Sequence, residues 1–366
     1  MKKFLFTVLV LGLCFSPFAA RAAEAQSGGN LPGRKIAETV SMITGVAISP
    51  LLGVGAVGAY QWWQAKTPEQ KARLPWFANP TFWIPALLLV AACVVKDTAG
   101  TVLPTAAKKP LDVAEAVEHK VSGLVAAGAF VPIAAAIFHS SNPGDGASLS
   151  AAGFAAIDLH WLYNALMVPI SLAAFAVVFL ASNAINILIL LSPFTTVDAA
   201  LKAFRAAILA SIAGTSLANP WIGLVWALVV ILLSWLIAGW SFRLSHFGMV
   251  FVWDFFTLRR ARFTPDKVAN KMFLGRNINE VPARTYGKLS RDEKGNLVLK
   301  YRPWLVLAER TLTLPEAKYA VGKGAFTSEI LELQGDESKT ACLLPPRYRS
   351  HEEELVTIYG FVDVRP

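Results

Sequence analysis

Ala206 to Phe242 reads AAILASIAGTSLANPWIGLVWALVVILLSWLIAGWSF, 37 residues without Asp, Glu, Lys or Arg. A helix rises about 1.5 Å per residue and the hydrocarbon core of a bilayer is about 30 Å thick, so about 20 apolar residues suffice to cross it. Four further charge-free runs reach that length: Thr39 to Ala65 (27 residues), Leu74 to Val95 (22), Val121 to Gly144 (24) and Leu159 to Val197 (39). The expected fold class is an α-helical polytopic membrane bundle of about five spans, some broken or kinked, followed by a small β-rich soluble domain.

Composition agrees with a membrane location. Hydrophobic residues make up 55% of the 366 and charged residues only 16%, against about 25% charged in soluble domains. The net charge of +9 sits mostly in the apolar part, with 18 basic against 11 acidic residues up to Arg262 and 16 against 14 beyond it. Basic residues there orient helices and meet anionic lipid, which sets nucleic acid aside as a partner.

The opening residues have the form of a secretory signal over 1–22: Lys2 and Lys3, an apolar stretch from Phe4 to Phe15, then Ala20-Arg21-Ala22 as the cleavage site. Residues 23–35 are a linker containing Gly28, Gly29 and Gly33. The helical domain is expected over 36–243, an amphipathic or interfacial connector over 244–263 and the β-rich domain over 264–366. After cleavage only Cys93 and Cys342 remain, which indicates no disulfide framework.

Within the apolar region, Ser49-Pro50 interrupts the first span, while Gly45, Gly53, Gly55 and Gly58 present a small-residue surface to a neighbouring helix or a second copy of the chain. Pro85, Pro132 and Pro169 fall inside later spans. Trp62, Trp63 and Trp76 flank the loop with Lys66, Lys71 and Arg73, as interfacial residues do. Five spans after an exported start place the carboxyl-terminal domain in the cytoplasm, and Arg259, Arg260 and Arg262 support that side. Lys96, Lys108, Lys109 and Lys120 pull the other way, so four or six spans stay open.

Polar side chains in hydrocarbon are costly unless paired or hydrated, so those inside the runs are the candidate site. Asn183 and Asn186, three apart, share a helical face; they either coordinate a solute or clamp two helices together. Asp198, Lys202 and Arg205 follow on a short amphipathic segment, as an interfacial helix or as the charged lining of a path. Asp112, Glu115 and His119 recur at three- and four-residue spacing in a polar segment; one imidazole and two acids fall short of a metal-ligand pattern, and a solvated helix face accounts for them. No cofactor is expected.

From Thr264 the texture changes to short apolar pieces between charges, with strand signals at Arg284 to Leu289, Leu297 to Tyr301, Leu305 to Leu307, Thr311 to Leu314, Ser328 to Leu333, Thr340 to Leu344 and Leu355 to Val364. Asp292 to Asn296 reads as a hairpin loop and Asp266 to Asn279 as a helix.

Lys96-Asp97 through Leu103-Pro104, Lys109-Pro110-Leu111-Asp112 and His119-Lys120-Val121-Ser122-Gly123 resemble part of the bacterial membrane family called domain of unknown function 4126, and Gly214-Thr215-Ser216-Leu217-Ala218-Asn219-Pro220 is similar to a later element of it. The resemblance covers residues 40–240 and implies a helical membrane protein, with no catalytic residues. Three functions follow: an inner-membrane transporter or channel for a small solute or ion, a membrane-anchored scaffold recruiting a protein partner through residues 264–366, or a membrane enzyme using Asp112, Glu115 and His119. The bilayer itself is a partner in each.

Overall fold

The structure is a computed structural model and describes residues 34–99, 121–128, 160–192, 194–324, 327–334 and 337–365. The chain divides into two compact units, 1–238 and 239–366. The signal segment and the Asp112, Glu115 and His119 group lie outside the described residues.

Helices make up the first unit: α1 (Arg34–Ile48), α2 (Pro50–Gln64), α3 (Pro68–Ala72), α4 (Pro80–Ala99), a helical stretch over 121–128, α5 (His160–Leu191), α6 (Thr195–Ala218) and the start of α7 (Pro220–Phe256). Pro50 at the first position of α2 lacks the N–H that would continue α1, so the Thr39–Ala65 run is divided between two helices, α1, which starts before it at Arg34, and α2. Thr67 and Gln70 form a reciprocal cap on α3, and Asn79 receives the Thr81 N–H at 3.0 Å at the start of α4. In α5 and α4, Pro169 and Pro85 are accommodated within helix.

α1 packs on α5 and α6, and α2 folds back on α4. Ile43, Val46, Ala47, Val54, Phe77, Phe175, Val178 and Ile212 form the buried cluster. Gly58 is where the α2 hairpin closes: a Cβ there would stand 2.2 Å from the Phe77 carbonyl oxygen, so only glycine admits that approach.

The expectation of about five spans is not met. Among the described residues two helical segments are long and apolar enough to cross a membrane, by length and composition: Pro169–Leu191 and Pro220–Phe255. Charge-free length overcounted where prolines cut the described runs, while the run from Val121 to Gly144 lies mostly outside the described residues. Ser49-Pro50 leaves Ala37–Ile48 as a short apolar helix, and Pro80–Cys93 is likewise too short. Asn219-Pro220 splits the run quoted at the outset, assigning its first third to α6, which also carries Asp198, Lys202 and Arg205. Only 28% of the most apolar window of Pro220–Phe255 is buried, and Val225, Leu228, Leu232, Leu233 and Leu236 all face outward. Apolar surface of that extent belongs against lipid or another protein.

The second unit holds the last turns of α7, β1 (Ala269–Leu274), β2 (Tyr286–Arg291), β3 (Leu297–Tyr301), β4 (Arg310–Thr313), β5 (Lys318–Gly322), β6 (Glu329–Gln334), β7 (Glu337–Leu343), α8 (Glu352–Tyr359) and β8 (Val364–Arg365). They form one eight-stranded mixed sheet ordered β4-β3-β2-β1-β7-β6-β5-β8, antiparallel except for the β5–β8 pair. Met272, Leu274, Leu289, Leu299, Val321, Ile330 and Cys342 fill one core with Tyr348, Leu355 and Tyr359.

Asp266 to Asn279 is not helical; its middle is β1. Strand alternation is hidden because β1 is covered on both faces, Met272 and Leu274 by the sheet core and Phe273 by Phe247 of α7, with ring centroids 5.0 Å apart. Leu355 to Val364, read as a strand, begins as the end of α8: Leu355 and Tyr359 lie one helical turn apart and are buried, and Gly360 closes the helix in the left-handed conformation with φ 59°. Leu305 to Leu307 is not a strand either, since Trp304 and Leu305 turn through φ 53° and 64°. The Asp292 to Asn296 hairpin joins β2 and β3, with Asp292 Oδ1 receiving the Lys294 and Asn296 N–H groups.

Candidate functional site

Asp254 is the sole acidic residue between Asp198 and Asp266, and it lies in the final turn of α7. A carboxylate there opposes the helix dipole and needs a cation. Arg347, in a 3-10 turn after β7, supplies it: its Nε donates to Asp254 Oδ2 at 2.7 Å and its backbone N–H to the same oxygen at 3.3 Å. The two side chains are 0% and 6% exposed, so the pair is removed from water. Arg259 Nη1 stands 3.8 Å from Asp254 Oδ1 from a more exposed position.

Beside this pair a cleft of about 660 Å³ opens between the last turns of α7 and strands β1 and β2. Its walls combine aromatic groups, Trp253, Phe263, Tyr286 and Tyr348, with cations, Arg259, Lys271, Lys288 and Arg347. Lys271 and Lys288 are cross-strand partners on β1 and β2, both exposed, so two ammonium groups stand side by side. Asp266 is the only acid among the lining residues, and the Val268 and Ala269 N–H groups hold its carboxyl below the usual range. Burial pushes the Tyr286 phenol up, which keeps it a neutral hydrogen-bond donor. A cationic rim over aromatic walls suits a ligand that is acidic with an apolar part.

The residues singled out from sequence occupy the first unit. Asn183 and Asn186 are buried on α5, Asp198 is buried on α6, and Lys202 and Arg205 are half-buried there. Arg205 Nη1 donates to Asn186 Oδ1 at 2.7 Å, and Ser182 Oγ to the Ile48 carbonyl at 2.8 Å, so α5 is tied to α6 and to α1. Asn183 Oδ1 and Asn186 Nδ2 have no hydrogen-bond partner among the described residues. No group of three or more His, Cys, Asp and Glu able to hold a metal occurs among the described residues.

Sequence reasoning missed the cleft. The single available signal was Asp254, a lone carboxylate closing an apolar helix; its partner lies 93 positions along the chain. No protein-family model, curated protein or solved structure matches this chain. Fold and site together define a class: a helical part with, among the described residues, two apolar helical segments of membrane length, and a mixed-sheet domain that includes the last turns of α7.

Proposed function

We propose that this protein is a membrane-anchored adaptor whose sheet domain captures an acidic, apolar-flanked segment of a partner protein in the Trp253, Lys271, Lys288 cleft. The observation that carries the reading is the continuity of α7. The helix whose apolar side chains face outward between Trp221 and Leu236 carries Asp254 in its final turn, in a buried ion pair with Arg347 of the sheet domain. One helix thus carries both the apolar stretch and a residue of the sheet domain, as a scaffold requires. The clamp-like bonds of Asn186 and Ser182 weigh against transport, since both tie helices together instead of lining a path. Kinship of residues 40–240 with domain of unknown function 4126 is retained as a proposal.

The test is site-specific photocrosslinking in cells from position 288, with position 318 on a different strand as the reference. A discrete adduct from 288 that disappears in Lys271→Glu supports the adaptor. Absence of any adduct, together with ion or solute flux through reconstituted vesicles that is lost in Asn186→Leu, would overturn it in favour of transport.

A further inference from the structure

Trp221 and Trp240 bracket the most apolar part of α7, 19 residues apart. At 1.5 Å per residue that is about 28 Å, close to the hydrocarbon thickness, and tryptophan favours both boundaries. Arg243 follows Trp240 within one turn, where a membrane-crossing α7 would place it among lipid headgroups. Around it the second unit gathers features that the cleft does not use.

Phe242 packs against Trp304 with ring centroids 4.8 Å apart. Trp304 opens a loop, 304–307, in which all four side chains are apolar and all four are exposed, Val306 by 81%. Positive φ at Trp304 and Leu305 turns these side chains outward instead of folding them into the sheet core. Over Gly239 the Arg243 guanidinium and the Trp304 ring flank the same spot, 3.5 and 3.9 Å from where a Cβ would be. Arg284, itself at φ 61°, lies within electrostatic reach of Arg243. Neither arginine has an ion pair among the described residues, and Arg243 Nε is buried with no hydrogen-bond partner among them. Two half-buried guanidinium groups that repel each other and have no anion among the described residues are an arrangement that a shared negative ligand would complete. Burial draws Arg284 below its usual pKa.

We propose that Arg243 and Arg284 hold the phosphate of an anionic phospholipid headgroup, with the 304–307 loop inserted among the acyl chains beside it. The guanidinium fork matches phosphate oxygens in pairs, and the apolar loop beside the cations selects a lipid over the free ion. This inference rests on α7 crossing the membrane, and the two are tested apart.

The full chain is extracted in a neutral detergent and titrated separately with phosphatidylglycerol, phosphatidylcholine and inorganic phosphate, with binding read from the thermal shift. Phosphatidylglycerol is expected to bind at least about tenfold more tightly than phosphatidylcholine, as one charge-assisted bidentate contact provides. The Arg243→Gln/Arg284→Gln variant is expected to lose that preference, and Val306→Ser to weaken binding of both lipids. Should the double variant not fold, Arg284→Gln alone is expected to cut the preference severalfold. Equal binding of both lipids by the wild type overturns the site, as does an unchanged preference in a folded arginine variant. Inorganic phosphate that binds as tightly as the lipid overturns the lipid assignment. Alkaline carbonate extraction tests the anchor by itself: release of the wild-type chain sinks the membrane reading, whereas retention without lipid preference sinks only the headgroup site.

Discussion

Replacing Asp254 by Ala leaves the Arg347 guanidinium buried, 6% exposed, without its counter-charge. At 2.7 Å and an effective dielectric constant of about 20, the pair attracts by about 6 kcal/mol. Desolvation of both groups offsets much of this, but that offset helps only when both charges leave together. Arg259 contributes little, because its side chain is 43% exposed and solvent screens it. Removing one partner is therefore expected to cost about 3–5 kcal/mol, a roughly hundred- to four-thousandfold rise in the opening equilibrium of the sheet domain. Cys342 reports that opening, since its thiol is fully buried in the sheet core. In a background lacking Cys14 and Cys93, the rate of Cys342 modification by a thiol reagent in detergent should rise by that factor in Asp254→Ala. The double variant Asp254→Leu/Arg347→Met removes both charges and should recover most of the loss. A rise below about threefold in the single variant, or a double variant as labile as the single, would refute a helix locked to its domain by this pair.

Three other perturbations have definite expectations. Gly58→Val drives a side chain into the Phe77 carbonyl and should destabilise the helical unit by more than about 2 kcal/mol, whereas Gly214→Ala, with open space around it, should be neutral or stabilise by up to about 1 kcal/mol; thermal unfolding in detergent separates them. Asn186→Leu breaks the Arg205 bond and should cost about 1–3 kcal/mol, while Asn183→Leu, whose Oδ1 has no partner among the described residues, should cost less; equal losses would contradict the clamp. Burial pushes the Cys342 thiol up to about 12 from 9.0. Because the unfolded chain ionises first, this group stabilises the fold fully below pH 9 and progressively less toward pH 12, so Cys342→Ala should flatten the alkaline loss of stability in that window, and an unchanged pH profile would count against it.

Much of the β-rich texture after Thr264 was legible, because Leu297 to Tyr301 and Ser328 to Leu333 carry β-branched and apolar residues between turn signals, and β3 and β6 form there. β1 and α8 were misread for one reason: the first is covered on two faces, and of the three buried positions of the second only Leu355 and Tyr359 are apolar, the other being Glu352, so neither shows the apolar periodicity of its class. The Asn186 and Arg205 contact was half legible, as both residues were singled out but their pairing joins separate helices.

The sequence by itself determined that this chain carries helices apolar enough for a membrane and a separate strand-rich tail, since both follow from local composition. Tertiary structure decided which helices among the described residues are long enough, that α7 ends in a buried ion pair within the sheet domain, and that four cations from the turn after α7, two strands and the turn after β7 share one cleft. Hydropathy is a sum over neighbours along the chain, whereas charge pairing falls off with distance in space, so only the fold could bring Asp254 and Arg347 together.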